Sequence, residues 1–214
     1  MKKKSEVYIR KLAITGALGA LVAFLGITRL GFFPWFSGVT ITVLHIPAII
    51  GAILEGPVVG AGVGAIFGIF SLIQAYLSPM SPFDIAFQNP LVSILPRMLF
   101  PVAAWGIYQL ISGGGKQRLI LSVIISSVLA TFVHTLLVLG MLILTNGAGI
   151  LPAAPGNPVW AFIGGVLIAN GIPEALVAAI LTTLVTAAWL GTASAVKKSK
   201  LSREVEKIEK TEEE

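Results

Sequence analysis

The sequence predicts an all-α integral membrane protein, a bundle of six transmembrane helices with both termini in the cytoplasm. Hydrophobic residues make up 56% of the 214 residues and charged residues only 12%, which leaves too little polar surface to cover a soluble globule. The apolar residues gather in runs near the roughly 20 residues that a helix needs to cross a bilayer. Most basic residues lie at alternate ends of these runs, as in a chain that crosses the membrane repeatedly.

The six apolar runs follow one another between short connections rich in Gly, Pro and polar residues. They cover residues 12–28, 41–54, 58–77, 89–111, 119–144 and 158–190. Residues 1–11 form a basic leader that resembles the start of a signal peptide, but the run after it approaches the length of a span and is one of several. We therefore expect a retained first helix. Pro47 and Pro173 are candidates for bends in the second and sixth runs.

The charges predict the orientation and the domain limits. The leader, the turn with Lys116 and Arg118, and the tail after Lys197 carry nearly all Lys and Arg, whereas the alternate loops carry only Arg29. The positive-inside rule then places both termini in the cytoplasm. We divide the chain into the leader, a transmembrane domain at 12–192 and a charged tail at 193–214. The mixed Lys and Glu of the tail indicate a solvated helix or disorder, and we assign it no function.

Two stripes of small residues predict close helix contacts. Ala13 and Ala17 lie four apart on the first helix, and Gly60, Gly64 and Gly68 share that spacing on the third. Such faces let helix backbones approach one another within a membrane. We expect the third-helix stripe to pack inside the bundle. The first-helix stripe either does the same or docks another membrane subunit.

Arg97 is the most informative polar residue, because a charge in an apolar run costs several kcal/mol unless something compensates it. Its guanidinium offers a planar fork of donors that matches a carboxylate. A ligand carboxylate is one candidate partner. The alternatives are a salt bridge to Glu174 and hydrogen bonds to backbone carbonyls freed near Pro96.

Further polar residues are expected to join Arg97, because every polar group inside a span must be satisfied by protein, water or ligand. The predicted topology places them in the outer half of the membrane or near its middle. They are His45, Asn89, His134, Asn170 and Glu174. For each an alternative stays open.

The alternatives for these residues are structural. A hydroxyl of Thr131 or Thr135 could satisfy His134, and His45 could be satisfied in the same way. Asn170 could mark a local helix break, and Glu174 could balance Arg97. Three aromatic residues could form an apolar lid over the site or serve as interfacial anchors. They are Trp35, Phe83 and Trp160.

The sequence predicts neither an enzyme nor a metal or cofactor site. It has no Cys and only two His, and it contains no HExxH or GxSxG motif. Gly115 and Lys116 are only superficially similar to a phosphate loop, because Gln117 replaces the required Ser or Thr. The net charge of +5 flanks apolar runs and so indicates a membrane surface rather than nucleic acid. Any active transport would need an ion gradient or a partner.

The chain resembles a known family over residues 5–192. The motifs are the basic leader with its Ala13 stripe, the segment His45-Ile-Pro-Ala-Ile-Ile, the Gly-rich third run, Asn89-Pro-Leu-Val-Ser-Ile-Leu-Pro-Arg97 and Asn170-Gly-Ile-Pro-Glu174-Ala. Together they are similar to the substrate-binding S component of an energy-coupling factor (ECF) vitamin transporter of the prokaryotic plasma membrane.

The resemblance implies a mechanism and partners. An S component binds a vitamin near the outer face and associates with a transmembrane coupling subunit and two ABC ATPases, whose ATP hydrolysis topples it and carries the vitamin inward. Ala13 and Ala17 match the docking motif of the family. The segment from Asn89 to Arg97 looks most like pantothenate-specific members, so pantothenate is the expected substrate.

Other substrates and another class of protein remain alternatives. Folate would require aromatic residues that stack on its pteridine. Riboflavin is uncharged and would leave Arg97 without a partner, and cobalamin would require a wider opening to the site. A self-sufficient secondary transporter would need an acidic relay residue and often has an internal repeat. Glu174 is the only acid within the runs besides Glu55 at a turn, and the halves show no repeat.

Overall fold

The computed structural model describes residues 2–33, 41–79, 82–112, 116–146 and 159–198. Eight α-helices dominate: α1 Lys2–Ile27, α2 Ile46–Glu55, α3 Pro57–Leu77, α4 Pro90–Ser93, α5 Leu95–Ile111, α6 Lys116–Asn146, α7 Val159–Val166 and α8 Ile172–Lys198. A 3-10 helix, Pro82–Gln88, precedes α4, and a π-helical turn, Leu167–Gly171, joins α7 to α8. Two short strands, β1 Phe32–Phe33 and β2 Ile41–Thr42, complete the described elements.

Five helical segments of the described chain are long and apolar enough to cross a membrane. They are Ser5–Ile27, Pro57–Leu77, Pro90–Ile111, Leu119–Thr145 and Val159–Trp189. Helix α2 is also apolar but has only ten residues. Large hydrophobic side chains remain exposed around the bundle, for example Leu129, Leu136 and Leu184, as expected where lipid is the solvent. The protein is therefore an all-α, multi-pass membrane protein.

The second apolar run differs from the prediction of one helix over 41–54. Ile41 pairs with Phe33 in an antiparallel ribbon, and the amide of Val43 donates to the carbonyl of Gly31 at 3.0 Å. These bonds hold the start of the run in extended structure, so α2 begins only at Ile46. Pro47 lies in the first turn of α2, where its missing N–H costs no helical bond.

Helix α2 is consequently a short rod inside the bundle. At about 1.5 Å per residue its ten residues cover roughly 15 Å, and nearly all of them are buried. Gly56, with φ of 96°, then reverses the chain in a conformation that residues with a Cβ rarely adopt. At this turn Glu55 accepts a bond from Arg10 of α1 at 2.5 Å. The turn fixes one end of α1 against the bundle.

The glycine stripe of α3 packs inside the bundle, as predicted. A Cβ added to Gly60 would lie 2.5 Å from the Cβ of Ala52 on α2. One at Gly64 would lie 1.9 Å from the carbonyl oxygen of Arg97, and one at Gly68 would lie 2.6 Å from the Cα of Ile94. The backbone of α3 therefore touches the backbone of the segment that carries Arg97, which only glycine permits.

The predicted fourth helix is broken near its start. The side chain of Asn89 caps α4 by accepting from the amide of Leu91 at 3.0 Å. Helix α4 ends at Ser93, and α5 starts at Leu95. The break arises because Pro96 has no N–H to donate to the carbonyl four residues earlier. That carbonyl belongs to Val92.

The sixth run also departs from a regular helix, close to the predicted kink at Pro173. The π-helical turn ends at Gly171, just before Pro173. A Cβ at Gly171 would lie 3.1 Å from the ring of Phe132 on α6, so the turn packs tightly on its neighbour. Such π-turns within long helices frequently mark functional sites.

Candidate functional site

Arg97 is buried, with 6% of its surface exposed, on the first turn of α5. Its Nη1 donates to the carbonyl of Val92 at 2.6 Å, the carbonyl that Pro96 leaves without a helical donor. Of the structural alternatives for Arg97, the freed carbonyl is therefore the one that forms. This hydrogen bond uses only part of the fork of N–H donors that the guanidinium offers.

The salt bridge to Glu174, the other alternative, is absent from the described residues. Within them the ion pair is that of Arg10 with Glu55. Glu174, on the first turn of α8, accepts from the backbone amide of Thr42 at 2.7 Å. Glu174 thus ties the strand β2 to α8 rather than neutralising Arg97.

Aromatic rings surround the Arg97 guanidinium. Its Cζ lies 5.5 Å from the ring centroid of Phe67 and 4.9 Å from that of Phe87, within the range of cation–π attraction. The Nε atom is buried and has no hydrogen-bond partner among the described residues. Arg97 therefore keeps its charge near apolar walls with donor capacity left over.

His134 shares the Phe67 ring with Arg97. Its imidazole centroid is 4.6 Å from that of Phe100, 5.7 Å from that of His45 and 6.0 Å from that of Phe67. Both ring nitrogens are buried without a hydrogen-bond partner among the described residues. The neighbouring hydroxyls of Thr131 and Thr135 donate to backbone carbonyls of α6, and neither bonds to a ring nitrogen of His134.

His45 stands at the start of α2 and is fully buried. Its Nε2 lies 3.2 Å from the hydroxyl oxygen of Thr131. Because that hydroxyl gives its hydrogen to the carbonyl of Ser127 at 2.9 Å, we assign the proton of this contact to Nε2 of His45. The structural alternative for His45, a hydroxyl partner, thus holds.

The remaining predicted residues stand in different places. Asn170 is buried, 4% exposed, in the π-helical turn, where the helix departs from regular α-helical geometry, and its contact with a ligand stays a prediction. Asn89 uses its amide oxygen as a helix cap. Trp160 is 79% exposed on α7. Trp35 and the side chain of Phe83 lie outside the described part of the chain, so the aromatic lid stays a prediction.

Sequence reasoning missed the phenylalanines that line the site. Phe67, Phe87 and Phe100 contact the guanidinium or the imidazoles. Only Phe67 had a usable signal: it comes three residues after Gly64, and residues three apart share one face of a helix. The contacts of Phe87 and Phe100 depend on how the broken fourth run packs.

We define the cationic cluster as Arg97, His134 and His45 with Phe67 and Phe100. It combines a buried positive charge, further polar nitrogens and apolar walls, a combination suited to a small anion that also carries hydroxyl or amide groups. No group of three or more His, Cys, Asp or Glu in the described residues could hold a metal ion.

The fold and this cluster define a class: a multi-pass helical membrane protein with a candidate anion site within the bundle. A model of the ECF transporter substrate-specific component matches residues 10–186, most of the chain. The protein therefore belongs to this family of S components, as its sequence motifs indicated.

Two relatives carry names that state a substrate. The chain is 26% identical over 207 residues to the pantothenic acid transporter PanT of Lactococcus lactis subsp. cremoris, an alignment that covers 88% of this chain and 96% of the relative. It is 35% identical over 82 residues to the pantothenate transporter PanT of Leuconostoc mesenteroides, covering 38% and 39% of the two chains. The second similarity is thus confined to part of each protein.

Proposed function

We propose that this S component captures pantothenate at the outer face of a prokaryotic plasma membrane and delivers it inward with an ECF coupling subunit and two ABC ATPases. One observation carries the substrate assignment. The guanidinium of Arg97 is buried with an Nε that has no partner, and it shares the Phe67 ring with His134, whose two ring nitrogens also lack partners in the described chain.

The charge of the cluster favours an anionic vitamin. A buried cation costs several kcal/mol unless an opposite charge or several hydrogen bonds compensate it. The described structure gives Arg97 one backbone acceptor and two aromatic faces, but no carboxylate. The carboxylate of pantothenate fits this need, and its hydroxyl and amide groups suit the imidazole nitrogens. The names of both relatives agree with this choice.

The positions of the basic residues support an outward-facing site. Arg10 and Lys11 belong to the first turns of α1, at the same end of the bundle as the turn after Glu55. Cytoplasmic placement of this end follows the positive-inside rule. His45 starts α2 at the end of that rod away from Glu55, so the cationic cluster lies toward the outer side.

One exposed face of α1 supports docking of the coupling subunit. We call it the small-residue face: Ala13, Gly16, Ala17 and Ala20, all of which are exposed. Nothing lies within 4 Å of a Cβ added to Gly16. By contrast, Gly19 and Gly26 on the same helix face the bundle, against Ile66 and Phe70. The small-residue face is therefore free to meet another membrane helix.

A binding titration tests the substrate. The purified, detergent-solubilised protein is titrated with pantothenate, folate, riboflavin and cobalamin by calorimetry. We expect pantothenate to bind with Kd below about 1 μM, a binding free energy beyond about −8 kcal/mol, and the others to bind at least about 100-fold more weakly. Tight binding of another vitamin without a response to pantothenate would contradict the substrate assignment.

An uptake measurement tests the mechanism. Reconstituted alone in vesicles, the protein should bind pantothenate but not accumulate it, because energy comes from the partner ATPases. Accumulation driven by an ion gradient without any partner would support a secondary transporter instead.

A further inference from the structure

The position of Arg97 depends on a neighbouring helix that supplies no polar group. Three residues of α3 face the Arg97 segment: Gly64, Phe67 and Gly68. We call them the α3 cradle. Phe67 and Gly68 follow Gly64 by three and four positions, so all three residues lie on one side of the helix. Glycines at such spacing usually indicate only close helix packing, but here one of them, Gly64, packs against the backbone of Arg97, the charged residue of the cationic cluster.

The two glycines fix the separation between backbones. A Cβ at Gly64 would lie 1.9 Å from the carbonyl oxygen of Arg97 and 2.8 Å from its carbonyl carbon. A Cβ at Gly68 would lie 2.6 Å from the Cα of Ile94 and 2.7 Å from the carbonyl oxygen of Ser93. These neighbours are backbone atoms, so no change of rotamer relieves the overlap. Any side chain at either glycine must push the Arg97 segment away from α3.

The size of this displacement matters for the guanidinium. Real Cβ contacts shorter than 3.0 Å essentially never occur, so the 1.9 Å contact at Gly64 requires at least 1.1 Å of movement. The guanidinium also depends on the local geometry of the helix break, because its Nη1 contacts the carbonyl of Val92 at 2.6 Å. Since Arg97 and Val92 belong to the same broken segment, they would move together.

Phe67 stays behind when that segment moves. Its ring belongs to α3 and is 5% exposed. It lies 5.5 Å from Cζ of Arg97 and 6.0 Å from the imidazole centroid of His134 on α6. Phe67 thus contacts Arg97 and His134, two buried groups that have nitrogens without partners in the described chain. A shift of the Arg97 segment would change the position of the guanidinium relative to both Phe67 and His134.

We propose that the α3 cradle positions Arg97 for the ligand carboxylate, so that Gly64, Phe67 and Gly68 set the preference of the protein for an anionic over a neutral ligand. The inference rests on the proposed function for its ligand, pantothenate. The three residues act through Arg97 and do not touch the carboxylate themselves.

The test compares two ligands on matched variants. The probes are pantothenate and its alcohol analogue, in which a CH2OH group replaces the carboxylate. The preference is the ratio of their affinities. We expect Gly64→Ala to reduce pantothenate affinity on the order of 100-fold, within the range of roughly 30- to 5,000-fold for loss of one partner of a buried charge pair, while changing affinity for the alcohol by less than about threefold.

Gly106→Ala is the matched control. Gly106 lies on α5, the helix that carries Arg97, and nothing lies within 4 Å of a Cβ added there. We expect its preference to equal that of the wild type. An equal loss of affinity for both ligands in Gly64→Ala would show that the α3 cradle contributes only general packing and would overturn the proposal.

A double variant separates positioning from packing. If Gly64 acts through Arg97, then Gly64→Ala should lower pantothenate affinity by less than about twofold in an Arg97→Ala background, because interacting sites are not additive. The full loss in both backgrounds would contradict the proposal. Where Gly64→Ala fails to fold, Phe67→Leu replaces it, with Phe70→Leu on the same helix as its control. Phe70 packs against Gly26 of α1 rather than Arg97.

A measurement without ligand keeps the inference separate from the substrate assignment. The Nε–H signal of Arg97 in NMR spectra, identified by its loss in Arg97→Lys, reports the ring currents of Phe67 and Phe87. We expect this signal to move in Gly64→Ala and Phe67→Leu but not in Gly106→Ala or Phe70→Leu. If pantothenate does not bind the wild type, the proposed function fails, and the NMR comparison alone then tests the positioning role. An Arg97 signal that does not move in Gly64→Ala overturns that role, and a signal that moves supports it.

Discussion

Replacing Arg97 with Ala should weaken pantothenate binding strongly and selectively. Truncating one partner of a buried, hydrogen-bonded charge pair typically costs about 2–5 kcal/mol, a loss of roughly 30- to 5,000-fold in affinity. The expected value lies in the upper half of this range, because Arg97 is 6% exposed and water cannot easily take its place. The alcohol analogue, which has no carboxylate, should lose far less.

The same substitution should change stability little. It leaves the carbonyl of Val92 without its 2.6 Å bond, and an unsatisfied buried acceptor costs about 1–3 kcal/mol. It also removes a buried charge whose desolvation opposes folding. Because these effects have opposite signs, we expect the Tm in detergent to move by less than about 5 °C.

Arg97→Lys provides the matched control for charge. Lysine keeps a positive charge and can reach one acceptor, but it lacks the planar fork. We therefore expect its pantothenate affinity to fall between those of the wild type and Arg97→Ala. Calorimetry on all three proteins with both ligands gives the comparison. Unchanged pantothenate affinity in a folded Arg97→Ala protein would refute the role of Arg97 in binding the anion.

Substitutions at three further positions separate structural from functional roles. Glu174→Ala should lower Tm, since the Thr42 amide bonded at 2.7 Å loses its acceptor at a cost of about 1–3 kcal/mol, whereas Glu174→Gln keeps an acceptor and should bind pantothenate within about threefold of the wild type. Arg10→Ala should destabilise by only about 1 kcal/mol in thermal melts, because its side chain is 65% exposed although Glu55 is buried. Ala17→Leu should retain pantothenate binding but lose copurification with the coupling subunit.

These substitutions have their own controls. Loss of pantothenate binding in Glu174→Gln with an unchanged Tm would show that the Glu174 carboxylate contacts the ligand. For Arg10, the neighbouring Lys11→Ala removes the same charge without touching Glu55, so an equal fall in Tm would show that Glu55 is not the cause. For Ala17, the same change at exposed Ala161 on α7 should leave the complex intact. Normal assembly of Ala17→Leu would exclude the small-residue face as the docking surface.

The apolar runs were predictable because burial in lipid requires long uninterrupted stretches of nonpolar residues. The predicted third run at 58–77 agrees with α3, Pro57–Leu77. The prediction was wrong at the start of the second run, where a helix was expected from residue 41. Apolar β-branched residues there suit a strand or a helix alike, and pairing with Phe32–Phe33 decides for the strand.

The site was predictable in its polar members more than in their partners. An arginine in an apolar run is easily recognised in a sequence, and Pro96 predicted a freed backbone carbonyl nearby. The structure shows that this acceptor is the carbonyl of Val92. The rival pairing with Glu174 could not be excluded from sequence, since its outcome depends on the backbone amide of Thr42 in a ribbon that the sequence did not reveal.

The aromatic walls could not be derived from the sequence in the same way. Phe residues are common in membrane helices, and nothing in their type distinguishes Phe67 or Phe100 from those that face lipid. Their role follows from tertiary contacts between α3, α5 and α6, such as the 4.6 Å approach of the Phe100 ring to that of His134. Glycine spacing on α3 supplied the one hint.

The most direct test of the central claim, that Arg97 receives the carboxylate of pantothenate, is a distance measurement. Protein with 15N-labelled arginine is loaded with pantothenate carrying 13C at its carboxylate, and dipolar dephasing is recorded by solid-state NMR, with Arg97→Lys identifying the signal. We expect a separation of about 4 Å between the carboxylate carbon and a guanidinium nitrogen, as in a direct charge-assisted pair. Bound pantothenate without dephasing from Arg97 would contradict the account.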